Sequence, residues 1–178
     1  MFTLVAGRAD VGVAPASALG SIASGAACYN RRCMSALHPF TVHFPIALLL
    51  VSGLFTLIAL RRGDAAWETS AYHCLLVGWV AGVIAALSGA FDAARQLIGP
   101  EAPRALVGWV NAHALVNIAA LIVYGQALLR RRRQPALLTD AAARRGYLWL
   151  HAIGALLLVA GGWLGGQLVY RFGLGVNV

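Results

Sequence analysis

The chain has 178 residues, 60% of them apolar and only 11% charged, against roughly 45–50% and about 25% in an ordinary soluble domain. That composition points to a membrane protein before any helix is located. All 14 basic residues are arginine and the formal charge is +8; the arginines fall in short clusters between apolar runs, which suits loops under the positive-inside rule and not a nucleic-acid surface.

Residues 1 to 33, MFTLVAGRADVGVAPASALGSIASGAACYNRRC, are rich in Ala, Gly and Ser and show no stripe of large apolar residues. Their likeness to a signal peptide is slight, because the basic region is a single arginine and the apolar region is broken by Pro15 and by glycines. The expectation is a disordered leader or a mis-assigned upstream start, with Met34 opening a domain over 34–178. Cys28, Cys33 and Cys74 form neither a metal-ligand spacing nor an even framework, so they read as unpaired thiols.

ALHPFTVHFPIALLL, residues 36 to 50, then sets two histidines and two prolines at the mouth of an apolar run. Four segments are long enough to cross a bilayer, which takes about 20 mainly apolar residues: about 40–60, 70–91, 105–129 and 147–170. Backbone groups in hydrocarbon must be satisfied within the segment, which makes all four α-helices. Short connections force antiparallel neighbours. The expected fold class is all-α, an integral-membrane antiparallel bundle of four transmembrane helices.

Arginines orient it. The first and third connections hold Arg61, Arg62, Arg130 to Arg133, Arg144 and Arg145, whereas the second holds Arg95 and Arg104 offset by Asp92 and Glu101. The odd connections are therefore expected in the cytoplasm of a bacterial inner (cytoplasmic) membrane, with both ends of the core domain periplasmic. Arg31 and Arg32 argue the other way, and their weight depends on whether the leader exists in the mature protein.

Ionisable residues inside a membrane are costly, so each is a functional candidate. His43, Asp92, His113 and Asn117 fall in the outer half of the bundle, with His38 at the rim; Asn117 is four residues past His113 and shares its helix face. His73 and His151 form a second pair near the opposite side. Two histidine pairs at two depths, His43 with His113 and His73 with His151, are the arrangement a four-helix b-type cytochrome uses to ligate haem b. The same outer residues, His43, Asp92 and His113, are also candidates to hold a metal or relay protons. Gly78-x3-Gly82, Gly161-x3-Gly165 and Gly162-x3-Gly166 are small-residue patterns that let membrane helices approach closely. Pro39 suits the first turn of a helix, whereas Pro45 either kinks the first helix or moves its start. No P-loop, dinucleotide fingerprint, H-E-x-x-H or G-x-S-x-G occurs.

LHPFTVHFPIALLL, the Gly89-Ala90-Phe91-Asp92 end of the second segment, His113 with Asn117, and GGWLGGQLVYRFGLGV together resemble a bacterial membrane-protein family known as domain of unknown function 2231. The resemblance covers residues 34 to 178 and implies a small four-helix inner-membrane protein with no assigned activity. Its motif residues correspond to His38, Pro39, His43, Pro45, Asp92, His113, Gly165, Gly166 and Tyr170. Members fused to Rieske iron–sulfur domains imply a place in membrane electron transfer, although no Rieske motif stands in this chain.

Three functions stay open from the sequence. One is a redox component of the lipid bilayer, working with a membrane redox partner subunit and binding b-type haem or quinone through the paired histidines. Another is a metal- or proton-handling protein using the outer His/Asp cluster. The third is a non-catalytic subunit of a membrane complex.

Overall fold

The computed structural model describes residues 37–97 and 104–174. The leader with its cysteines and arginines, Met34 and the Glu101 stretch of the second connection lie outside the described residues. Four helices fill the rest: α1 Leu37–Arg62, α2 Ala65–Leu97, α3 Arg104–Arg133 and α4 Ala141–Phe172. No strand occurs among the described residues.

Each helix runs past the apolar stretch that announces it. At about 1.5 Å per residue, lengths of 26 to 33 residues give roughly 39–50 Å, more than the ~30 Å hydrocarbon core. The helix ends therefore carry the polar caps and the arginines into the headgroup zone. Gly63, at φ 65°, closes α1 by donating to the Ala59 carbonyl at 2.8 Å, a left-handed position that glycine adopts without strain. Asp64 then caps α2, accepting the Ala66 N–H at 2.8 Å. Two connecting residues leave α1 and α2 no choice but an antiparallel hairpin. Asp140 caps α4 in the same way, accepting the Ala142 N–H at 2.9 Å, which starts that helix at Ala141 and not near 147. Gly173 ends it in a Schellman turn, with the Leu174 N–H on the Leu168 carbonyl at 3.1 Å.

The hairpins α1–α2 and α3–α4 form the larger contacts, and α2–α3 and α1–α4 close the ring. Buried positions recur at alternating steps of four and three: Pro45, Leu49, Ser52, Thr56 and Ala59 on α1; Ala71, Leu75, Gly78, Gly82, Ala85 and, after Gly89, Asp92 on α2; Tyr147, His151, Gly154, Leu158, Gly161 and, after Gly165, Leu168 on α4. This is the 3.5-residue seam of coiled-coil-like bundles. It cannot be read from hydropathy, because the outward positions are as apolar as the inward ones: Phe40, Leu87, Leu115, Leu156, Val159 and Trp163 are all exposed. The interior instead holds Ser52, Thr56, Asp92 and His151, so the bundle is apolar outside and partly polar within, as lipid requires.

Two side chains staple the helices through backbone carbonyls. Ser52 Oγ donates to the Ala71 carbonyl at 2.8 Å, joining α1 to α2. The Trp79 indole N–H donates to the Leu121 carbonyl at 2.9 Å, joining α2 to α3. Pro45 lies inside a continuous α1, so neither a displaced start nor a break results.

The glycines of the small-residue patterns divide into two groups. Gly78 abuts Leu48 and Leu49, Gly82 abuts Leu121 and Pro45, Gly161 abuts Asn117, and Gly165 abuts His113. Gly162 and Gly166 face open space and take no part in packing within this chain. A Cβ on Gly154 would stand 2.6 Å from the Tyr124 ring, a contact that a fully buried ring cannot yield. Gly154→Ala is therefore expected to destabilise the protein by about 1–3 kcal/mol, whereas Gly162→Ala gains helix propensity and leaves stability equal or slightly raised. Thermal unfolding of both variants in detergent checks this, and equal melting temperatures would refute the packing assignment.

Candidate functional site

At the end distant from the arginine clusters, polar side chains of α1, α2 and α3 converge, and α4 contributes a backbone carbonyl and glycines. His38 lies in the first turn of α1, where backbone N–H groups lack intrahelical partners. Its N–H donates to Asp92 Oδ2 of α2 at 3.3 Å, so a carboxylate from the neighbouring helix caps α1 and meets the positive end of its dipole. Pro39 has no N–H to satisfy, which removes another orphan donor from the same turn. Asp92 itself is buried, an expensive position for a carboxylate unless hydrogen-bonded.

The His38 ring lies against Gly89. A Cβ there would stand 2.7 Å from its Cε1, so only glycine leaves room for the imidazole. Nδ1 is 2.9 Å from the Ala85 carbonyl and 3.3 Å from Ser88 Oγ. Ser88 Oγ in turn donates to the Ala85 carbonyl at 2.8 Å and is 3.2 Å from Thr41 Oγ1, whose hydroxyl donates to the His38 carbonyl. A carbonyl can only accept, so Nδ1 carries the ring proton and Nε2 keeps its lone pair.

His113 on α3 repeats the arrangement. Its Nδ1 is 3.0 Å from the Gly161 carbonyl, and its ring sits over Gly165, where a Cβ would approach to 3.1 Å. Asn117, one turn on, donates to the His113 carbonyl at 2.8 Å. The two histidine rings meet across the bundle, edge to face, with centroids 6.2 Å apart. Each sets its Nδ1 on a backbone carbonyl, an orientation that turns Nε2 away from that helix; at His113 the Asn117 amide nitrogen lies 3.5 Å from Nε2.

His38 and His43 exchange the places expected for them. His43 is exposed on α1, because five residues at about 100° each turn it some 140° away from His38. His38, expected at the rim, is the central member. The grouping of His43, Asp92 and His113 as metal ligands does not form, and no group of three or more His, Cys, Asp or Glu close enough to share a metal ion occurs among the described residues. The expected haem pairs are not brought face to face either. His73 is exposed, two positions from both Ala71 and Leu75 of the buried stripe, and among the described residues its ring contact is its neighbour Tyr72. His151 is buried between Tyr147 and Tyr124, with centroids 4.7 and 5.6 Å away and steeply inclined planes. Among the described residues neither ring nitrogen of His151 has a hydrogen-bond partner; T-shaped contact with two tyrosine faces is what the site provides instead.

Gly89, part of the Gly89-Ala90-Phe91-Asp92 motif, completes the site together with Thr41 and Ser88, which the sequence reading does not single out. The signal was helical spacing: Thr41 lies one turn before Pro45, and Ser88 one turn before Asp92.

Fold and site together define a multi-pass membrane protein: a bundle of four spanning helices with a histidine pair and a carboxylate enclosed near one end. Residues 34–178 match the family described as "Predicted membrane protein (DUF2231)", and the chain belongs to that family. No curated protein and no solved structure shows significant similarity to it.

Removing the Asp92 carboxylate strands the His38 N–H in a buried site, so Asp92→Ala is expected to cost about 1–3 kcal/mol. Asp92→Asn keeps an acceptor and costs less. Thermal unfolding in detergent orders the three proteins, and an unchanged Asp92→Ala would remove the cap from the account. At His151 the expectation has the opposite sign. With no polar partner to lose, His151→Phe leaves the melting temperature equal or higher; a fall equivalent to more than about 1 kcal/mol would reveal a bond to the imidazole.

Proposed function

We propose that the protein handles protons in the bacterial inner membrane, through an acid–base centre made of His38, His113 and Asp92. The observation that carries this reading is the matched setting of the two imidazoles. Each Nδ1–H is held by a backbone carbonyl, each ring fills the space over a glycine, and the two face one another at 6.2 Å. The Nε2 of His38 is left as a base, and that of His113 has the Asn117 amide nitrogen at 3.5 Å. Two imidazolium charges at that separation would repel by about 3 kcal/mol at an effective dielectric near 20. Asp92, on the amide of His38, supplies the compensating negative charge.

The interior continues this polar character toward the arginine-rich end. Asn117 follows His113 on α3; deeper lie Tyr124 and His151, then Tyr147, which has Thr56, Glu68 and Arg131 as polar neighbours. With the arginine-rich end in the cytoplasm, the histidine pair opens toward the periplasm. A haem between paired histidines is less well supported, because His43 and His73 point outward and the glycine spaces are filled by the imidazoles themselves.

One specific feature favours a second reading. Two imidazoles bound to one metal ion at about 2.0–2.1 Å also bring their ring centres to roughly the separation seen here, so a metal held by both Nε2 atoms is the alternative use of the same pair.

Proton flux into proteoliposomes, followed with an entrapped pH dye under a potassium diffusion potential, tests the proposal. The wild-type chain should exceed protein-free vesicles, and His38→Ala and His113→Ala should each reduce the excess by about 100-fold, the scale of losing a positioned proton-transfer group. His43→Ala should leave it unchanged. Flux no greater than that of empty vesicles, or an equal loss in His43→Ala, would end the reading. Metal bound stoichiometrically by the purified wild type and lost in both histidine variants would move the assignment to the second.

A further inference from the structure

At the opposite end of the bundle α3 finishes in Arg130, Arg131, Arg132 and Arg133, and the turn over 134–140 folds back against the start of α4. Between them lies an open groove of about 470 Å³, lined by Arg130, Arg133, Gln134, Leu137, Ala142 and Ala143. That volume lies within the range of small-ligand sites.

The charge at this end is unbalanced. Eight arginines, Arg61, Arg62, Arg130 to Arg133, Arg144 and Arg145, stand against Asp64, Glu68 and Asp140. All three acids are engaged elsewhere: Asp64 and Asp140 cap α2 and α4, and Glu68 pairs with Arg131. Arg131 also donates to the Pro135 carbonyl, and Arg144 to the Leu138 carbonyl. Arg130 and Arg133, by contrast, have no acidic partner among the described residues. They are three positions apart on one helix, so both reach the same side of it.

We propose that this groove binds the phosphodiester headgroup of an anionic phospholipid. Guanidinium forks fit phosphate oxygens with two parallel hydrogen bonds, which makes arginine well matched to such a group. The lining joins two guanidiniums and an amide to three apolar side chains, as a headgroup joined to glycerol demands. Beyond the groove the bundle surface is exposed and apolar, with Leu129 on α3 and Trp149, Ile153 and Leu156 on α4, a flank on which acyl chains lie. Trp149 stands where an interfacial tryptophan meets the headgroups. Basic pockets between spanning helices at the cytoplasmic surface are a recurrent form of lipid recognition.

The test uses the full-length protein, delipidated in a neutral detergent, and adds phosphatidylglycerol or phosphatidylcholine at equal mole fraction. Native mass spectrometry should show phosphatidylglycerol retained and phosphatidylcholine not. Apparent affinity should fall roughly fivefold for each of Arg130→Gln and Arg133→Gln, the loss expected of one basic side chain at an anionic headgroup surface. Arg61→Gln with Arg62→Gln removes the same charge elsewhere at this end and should leave binding intact. Arg133, which is exposed, keeps the test available if the Arg130 variant fails to fold. Equal retention of the two lipids, an equal loss in the Arg61/Arg62 variant, or full displacement by millimolar inorganic phosphate would overturn the proposal.

Discussion

The structure depends on one constraint: hydrocarbon offers no hydrogen bonds, so each polar group carried into the bilayer must find its partner inside the protein. Helix formation satisfies the backbone, but the helix ends and the polar side chains remain. The bundle handles them by lending backbone carbonyls to side chains. Ser52, Trp79, His38 and His113 each donate to a carbonyl of a neighbouring helix. A helical carbonyl already accepts from the amide four residues on and keeps a second lone pair, so these bonds cost the helix little. They tie α1 to α2, α2 to α3 and α3 to α4, joining the hairpins at positions where apolar contact alone would allow sliding.

The same constraint explains where the glycines stand. Helix-on-helix contact is the common use of small residues in membranes, and Gly78 and Gly82 serve it against the aliphatic side chains of α1 and α3. Gly89, Gly154, Gly161 and Gly165 differ. Each gives its missing side-chain volume to a polar or aromatic group of another helix: His38, Tyr124, Asn117 and His113 respectively. A ring with a polar edge can lie flat on a helix only where no Cβ stands, and lying flat brings its N–H within reach of that helix's carbonyls. Gly165 and the Gly161 carbonyl act on His113 in this way, and Gly89 and the Ala85 carbonyl act on His38. The glycine and the carbonyl four residues before it form a seat for an imidazole, and the bundle contains two such seats facing one another.

The fold was legible because four runs of apolar residues separated by arginines admit few alternatives. Helix ends were less so: a hydropathy run marks only the hydrocarbon core, whereas Asp140 and Gly173 fix the real limits of α4 several residues outside it. For the site, the sequence conveyed depth and not direction. Depth follows from the rise per residue and placed His113, Asn117 and Asp92 together. Direction follows from 100° steps around a helix whose faces are all apolar, so no contrast marks the inward one. His43 and His73 had suitable depth and the wrong azimuth. The one usable marker was Pro45: treated as a break, it hides the register of α1, but kept within a continuous helix it lies on the buried stripe with His38 two turns before it and His43 on the opposite side.

Asp92 shows why the two ends of the bundle differ. A buried carboxylate is tolerated here because α1 begins beside it, presenting an orphan N–H and the positive end of a helix dipole. At the other end Glu68 pairs with Arg131, and the surplus there is positive, in guanidiniums such as Arg130 and Arg133 that meet no acid among the described residues. One end thus engages its buried acid through a helix terminus, the other engages Glu68 through an ion pair. The two ends therefore differ in kind, with a histidine pair and a carboxylate enclosed at one and the arginine cluster that closes α3 at the other.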